Sequence, residues 1–287
     1  MSRKLPPHQT TMAYRDPVFM ESAPARPLRI LAEYLDPLSR LRHEGVGDTI
    51  VMFGSARMFP REESEARFRR LKRAPRGHSE RARRKHEKLL HEALAAVHMS
   101  RYYEEARELA RLITGWSIKF GDRPRRFVIC SGGGPGIMEA ANRGAAEAGG
   151  KSIGLNIQLP HEQYPNPYIS PELNFDFHYF FMRKLWFAQL AKALIVFPGG
   201  FGTMDELWEM LTLLQSGKLS RRNLILIYGR KYWDEVLDWR AMVRWGTISE
   251  EDYGLLQFAD TVEEAFLRVR EELETYHMKL DLDWMGM

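Results

Sequence analysis

Twice in this chain a short apolar run breaks into a glycine-rich turn and then into a helix, and this unit limits the fold more than any other. At residues 193–197 the run is Ala-Leu-Ile-Val-Phe, and the turn is Pro198-Gly199-Gly200-Phe201-Gly202-Thr203. From 207 to 214 apolar residues then recur at helical spacing. The second unit begins with Phe-Val-Ile-Cys at 127–130 and turns at Ser131-Gly132-Gly133-Gly134-Pro135-Gly136. It continues as a helix from 136 to about 148. The same logic predicts strands at 49–54, 152–155, 175–179 and 224–228, and helices at 26–42, 182–192 and 261–276. Short apolar strands alternating with helices make an α/β fold, a parallel sheet covered on both faces with right-handed crossovers. In such a sheet ligands bind beyond the carboxyl ends of the strands, near the point where strand order reverses. Both glycine turns fall at such ends.

The rest of the chain is organised around that frame. The prolines of residues 1–25 predict an extended arm, and one domain is expected over 26–280 with a tail at 281–287. Residues 57–120 read as a basic and amphipathic helical insertion. Between 57 and 88 there are 13 Lys or Arg against 5 Glu. One amphipathic helix follows with Leu89, Leu90, Ala93, Leu94 and Val97 on a face, and a second with Tyr102, Tyr103, Ala106, Leu109, Ala110 and Ile113. Phe68 is the lone aromatic between Arg61 and Lys88, which argues for a solvated face over a nucleic-acid surface.

A glycine turn leading into a helix leaves main-chain N–H groups free, and with the positive end of the helix dipole they suit a phosphate. A structural turn fits the same residues. Glu206 distinguishes the turn at 198–203, because it sets a carboxylate about one helical turn into the same helix. Gly199, Gly200, Gly202 and Thr203 are the candidate phosphate anchors. Met182-Arg183-Lys184 opens the preceding helix, where two cations oppose the dipole. An anion or Glu206 would account for them, and Arg183 could grip a phosphate or ribose through its planar fork.

Several other chemistries find little support. A dinucleotide site needs an acidic residue after the next strand, and that strand ends at Leu155-Asn156. Gly149-Gly150-Lys151-Ser152 imitates a P-loop but leads into a strand. The nine histidines have no metal-binding spacing, so no metal and no cofactor are expected. His178 reads as structural, and Cys130 as a core thiol without a histidine partner. One cysteine precludes an internal disulfide and suits a reducing compartment. No run approaches the roughly 20 apolar residues of a membrane span, and the first residues lack a secretory core, so a cytoplasmic protein is expected. The net charge of +4 suits an anionic small molecule.

With these residues placed, the chain resembles the LONELY GUY (LOG) family, long labelled possible lysine decarboxylase. The resemblance runs from about 50 to 266 and is interrupted by the basic insertion. It rests on Gly54-Ser55-Ala56-Arg57, on Gly132-Gly133-Gly134-Pro135-Gly136-Ile137-Met138, on Met182-Arg183-Lys184, and on Pro198 through Glu206. The resemblance implies a Rossmann-like doubly wound fold in a homodimer or larger oligomer. It implies cleavage of the N-glycosidic bond of nucleoside 5′-monophosphates, AMP or cytokinin riboside monophosphates, to free base and ribose 5-phosphate. Arg183 and Glu206 become the catalytic pair. Gly54, Ser55, Arg57, Gly132, Gly133, Gly134, Gly136, Met138, Met182 and Lys184 join the phosphate loop as substrate contacts. A decarboxylase using pyridoxal would need a Schiff-base lysine and a partner for the ring nitrogen, and neither can be pointed to. The alternative is a nucleotide-binding or carrier protein on the same fold without hydrolysis.

Overall fold

A computed structural model describes residues 10–75, 79–121, 124–159, 164–220 and 222–278. In chain order its elements are α1 (Pro17–Glu21), α2 (Arg26–His43), β1 (Thr49–Phe53), α3 (Arg61–Arg73), α4 (Glu80–Ser117), β2 (Val128–Ser131), α5 (Ile137–Glu147) and β3 (Ser152–Ile157). They continue with β4 (Asn174–Phe177), α6 (Phe180–Leu190), β5 (Ala191–Val196), α7 (Phe201–Gln215), β6 (Leu224–Tyr228), α8 (Arg230–Val236), α9 (Trp239–Arg244), α10 (Glu250–Tyr253), β7 (Leu256–Ala259) and α11 (Val262–Tyr276).

The seven strands form one parallel sheet in the order β4-β3-β2-β1-β5-β6-β7. This is the doubly wound arrangement, with order reversing between β1 and β5. Side chains of a strand alternate between faces, and the two cores follow that period. Val51 and Phe53 of β1 join Cys130, Leu194, Val196 and Ile227 under Trp186, Phe187, Leu207 and Met210 of α6 and α7. Ile50 and Met52 join Ile129, Ile195 and Leu226 under Tyr103, Leu109, Ile113, Ala140 and Val269 of α4, α5 and α11. Both faces are thus sealed, and the carboxyl ends of β1, β2 and β5 meet at one edge. Among the described residues no helix is long and apolar enough to cross a membrane.

Two expectations are corrected. The two amphipathic helices expected after the basic run are one unbroken helix, α4, of 38 residues. No Gly or Pro lies between the two periodic patterns to stop it. Its first buried residue is Ala93, and the stretch from Ser100 onward packs on the sheet. The region expected as an extended arm is helical where described: a 3₁₀ turn at Ala13–Arg15, then α1 capped by the Asp16 side chain, then a second 3₁₀ turn at Ala23–Ala25. Prolines at first helical positions start helices as readily as they break them. The tail at 281–287 and residues 1–9 of the arm lie outside the described residues.

Candidate active site

Three loops are tied together beyond the carboxyl ends of β1, β2 and β5. Phe197 N donates to Phe53 O at 2.8 Å, Ser55 N to Pro198 O at 3.0 Å, and Ile137 N to Ser55 O at 3.1 Å. Gly136 has φ +72° and ψ −131°, and a Cβ there would overlap the Ser55 carbonyl oxygen. Only glycine permits both this conformation and this approach. Gly54 is likewise covered by Ile137. Arg57 is exposed at the rim, its N–H donating to Ser55 Oγ at 3.1 Å.

The loop after β2 is braced from within. Ser131 Oγ accepts from Gly133 N at 3.0 Å and donates to Asn142 Oδ1 at 2.7 Å. Asn142 Nδ2 donates to Ser152 Oγ and to Ile153 O. Asn166 reaches the loop from between β3 and β4, and its Nδ2 lies within bonding distance of Gly133 O, Gly134 O and Asn142 Oδ1. A Cβ on Gly133 would overlap Asn156 Oδ1; one on Gly132 would meet Arg183 Nη2 and Met138 Sδ. The glycines of this loop therefore admit protein groups. Buried amides of this kind hold their place only when their bonding capacity is met, as it is here.

The loop after β5 is built differently. Gly200 is the N-cap of α7 and no side chain caps that end. A Cβ on Gly200 or on Gly202 would find nothing within 4 Å, whereas Gly199 is filled by the Thr203 side chain. Phe201, between them, is 92% exposed. From behind, Tyr232 Oη donates to Gly199 O at 2.9 Å. The first amides of a helix lack intrahelical acceptors, so this uncapped end with open space in front of it suits an anion.

One turn further along α7, Glu206 is only 7% exposed. Its Oε2 lies 3.0 Å from Lys184 Nζ, within ion-pair distance. Lys184 Nζ also reaches Asp205 at 2.9 Å and Glu209 at 2.7 Å. Burial pushes the Glu206 carboxyl above its ordinary range, and Lys184 and Arg183 pull it back without cancelling that effect. Burial works against the Lys184 ammonium, but Glu209, Asp205 and Glu206 outweigh it and raise that group. Arg183 donates through Nε to Leu155 O at 2.9 Å and lies over the Phe187 ring at 5.1 Å. Burial lowers the Arg183 guanidinium somewhat, with Glu206 the leading opposing charge. This constellation offers an anion cradle, a fixed cationic fork and a partly desolvated carboxylate.

The expected residues divide accordingly. Arg183, Lys184 and Glu206 stand together in mutual electrostatic reach, and Gly132 lies against Arg183 and Met138. Gly199, Gly200, Gly202 and Thr203 make up the turn and first residues of α7 at that uncapped end. Met182 is buried and belongs to the core cluster on the α6 and α7 side of the sheet. Cys130 is a buried thiol, its ionisation pushed upward by burial. Among the described residues no group of three His, Cys, Asp or Glu is placed to hold a metal. Asn142, Asn166, Asp205, Glu209 and Tyr232 were not expected at the site. An Asn inside a helix was the available signal for Asn142, since that residue type is a poor helix former without a local reason.

A family model described as "Possible lysine decarboxylase" matches residues 138–269. The chain is 28% identical over 159 residues to the cytokinin riboside 5′-monophosphate phosphoribohydrolase LOG of Oryza sativa subsp. japonica, covering 54% of this chain and 64% of that protein. It is 31% identical over 105 residues to the pyrimidine/purine nucleotide 5′-monophosphate nucleosidase of Escherichia coli (strain K12), covering 32% of this chain and 22% of that one. The chain thus spans less than two thirds of either relative. Among solved structures, the molybdenum cofactor carrier protein of Chlamydomonas reinhardtii aligns over 61% of this chain and 89% of its own at 22% identity, with a TM-score of 0.41.

Proposed function

Since residues 138–269 place the chain in the LOG-type, possible lysine decarboxylase family, we propose that it hydrolyses the N-glycosidic bond of nucleoside 5′-monophosphates. Water adds to the anomeric carbon, the bond to the base breaks, and the base leaves with a proton; ribose 5-phosphate remains. The 5′-phosphate takes the uncapped end of α7, where Gly200 and Gly202 leave room. Such a bond breaks through an oxocarbenium-like sugar. Glu206 supplies the negative charge that such a cation needs, and its raised basicity suits it to take the proton of the attacking water. Arg183, held by Leu155 O, orients the sugar or base and aids departure.

The observation that carries this reading is the buried Glu206 carboxylate, held at 3.0 Å by Lys184, one turn from an open, uncapped helix end. Lysine decarboxylation fits the site poorly. Lys184 is ringed by three carboxylates that keep it protonated, whereas a Schiff-base amine must lose its proton. The test is incubation of the full chain with AMP and chromatography for adenine and ribose 5-phosphate. Equimolar release of both supports the reading. Stabilisation by AMP with no product would assign the protein to nucleotide binding alone. We also assign a homodimer: Phe180, Phe181 and Leu185 leave α6 with an exposed apolar face beside the site. Light scattering that returns a monomer overturns that assignment.

A further inference from the structure

Helix α6 begins under an electrostatic handicap. It carries Arg183 and Lys184 in its first turn and a half, no acidic residue in that turn, and an N-cap, Tyr179, whose side chain makes no capping bond. Cations there oppose the helix dipole, and an end without acceptors leaves N–H groups stranded. An acceptor for the start of the helix comes from 145 residues away in sequence. Glu33 of α2 accepts from His178 N through Oε1 at 2.8 Å and from Tyr179 N through Oε2 at 3.2 Å. The same residue's carbonyl oxygen accepts from Trp186 Nε1 at 3.1 Å, two turns along α6. Tyr34 packs on the Trp186 ring at 5.7 Å, and Arg26 lies over Tyr179 at 5.6 Å. Helix α2 therefore grips α6 at its first residues and at its middle.

Arg183 N donates to Tyr179 O at 3.2 Å, so the capped residue also anchors the turn that carries the fork. Beyond that turn the guanidinium lies between Leu155 O, which accepts from its Nε, and Gly132. We propose that Glu33 is a positioning residue: its carboxylate caps α6 and fixes where Arg183 and Lys184 stand against Glu206. It lies outside the segment that matches the family model, so the N-terminal helix is a working part of the site. The kinetic part of this inference rests on the hydrolase reading; the capping part does not.

Three variants of the full chain test it. Glu33→Ala removes both acceptors, Glu33→Gln keeps one acceptor and drops the charge, and Asp36→Ala alters an exposed residue of α2 whose partner is Arg40. With AMP as substrate, Glu33→Ala is expected to lose about tenfold in kcat, ~1.4 kcal/mol, with KM within threefold of wild type. Glu33→Gln should fall between, and Asp36→Ala should match wild type. Amide exchange is read in parallel over 178–184 and, as reference, over α5; it should quicken only at 178–184 in Glu33→Ala. A merely structural role predicts a lower melting temperature with unchanged kcat per folded molecule, and that result overturns the positioning claim. Unchanged exchange at 178–184 overturns the cap itself. If wild type releases no base from AMP, the hydrolase reading fails, and the exchange measurement still decides whether Glu33 holds α6.

Discussion

The two glycine loops share a composition and differ in what their glycines face. After β2, Gly133 and Gly136 are crowded by Asn156 and by the Ser55 carbonyl, and the loop is laced to Asn142 and Asn166. After β5, Gly200 and Gly202 face empty space, and the support comes from behind through Tyr232. Glycine in the first loop lets the protein approach itself; in the second it lets something else approach the protein. Glycine content alone therefore marks close approach without saying by whom.

Three substitutions can break or sharpen that contrast. The largest effect is expected at Glu206, behind the open loop. Glu206→Gln should lower kcat for AMP by about a thousandfold, within the span that positioned acid–base groups supply. Stability should move the other way. The folded carboxyl binds its proton more tightly than the unfolded one, whose ordinary value is 4.5. Its contribution is thus fully favourable below that value and is lost as pH rises through the folded value. Melting curves at pH 5 and 8 should show Glu206→Gln no less stable than wild type at the higher pH; a clear loss there would mean that the ion pair with Lys184 stabilises the fold.

Next comes Gly136→Ala in the crowded loop. It forces an L-residue into a strained region and its Cβ into a carbonyl oxygen, and should destabilise by about 3 kcal/mol or more in denaturant titration. The smallest effect belongs to Gly202→Ala. In the second position of a helix with nothing within 4 Å, an alanine should leave stability level or raise it by about 0.5–1 kcal/mol. Its affinity for ribose 5-phosphate should nonetheless fall about tenfold, ~1.4 kcal/mol, in calorimetric titration. Equal stability losses at Gly136 and Gly202 would erase the distinction between the loops.

Much of this was legible in the residues because the signals are local. A buried parallel strand, its glycine turn and the following helix occupy about 25 contiguous residues, the span over which periodicity works. Hence β5, its loop and α7, and the equivalent unit at β2, could be placed before any coordinates. The braces could not, because Asn166 meets Gly133 across 33 residues and Glu33 meets His178 across 145. No pattern within either segment encodes its partner. The short helices α8, α9 and α10 run 7, 6 and 4 residues, too few for a period to emerge. Strand β7, four residues at the sheet edge, was not expected either. Met182, adjacent to Arg183 in sequence, joins the core cluster, because neighbours on a helix face different ways.

The continuity of α4 carries a structural implication. At ~1.5 Å per residue its 38 residues make a rod of about 57 Å, exposed and cationic at one end and embedded at the other. Near the embedded end, Tyr103 donates its hydroxyl to Glu139 in the first turn of α5 at 2.6 Å. One unbroken helix thus joins the cationic tip to a side chain three residues after Gly136.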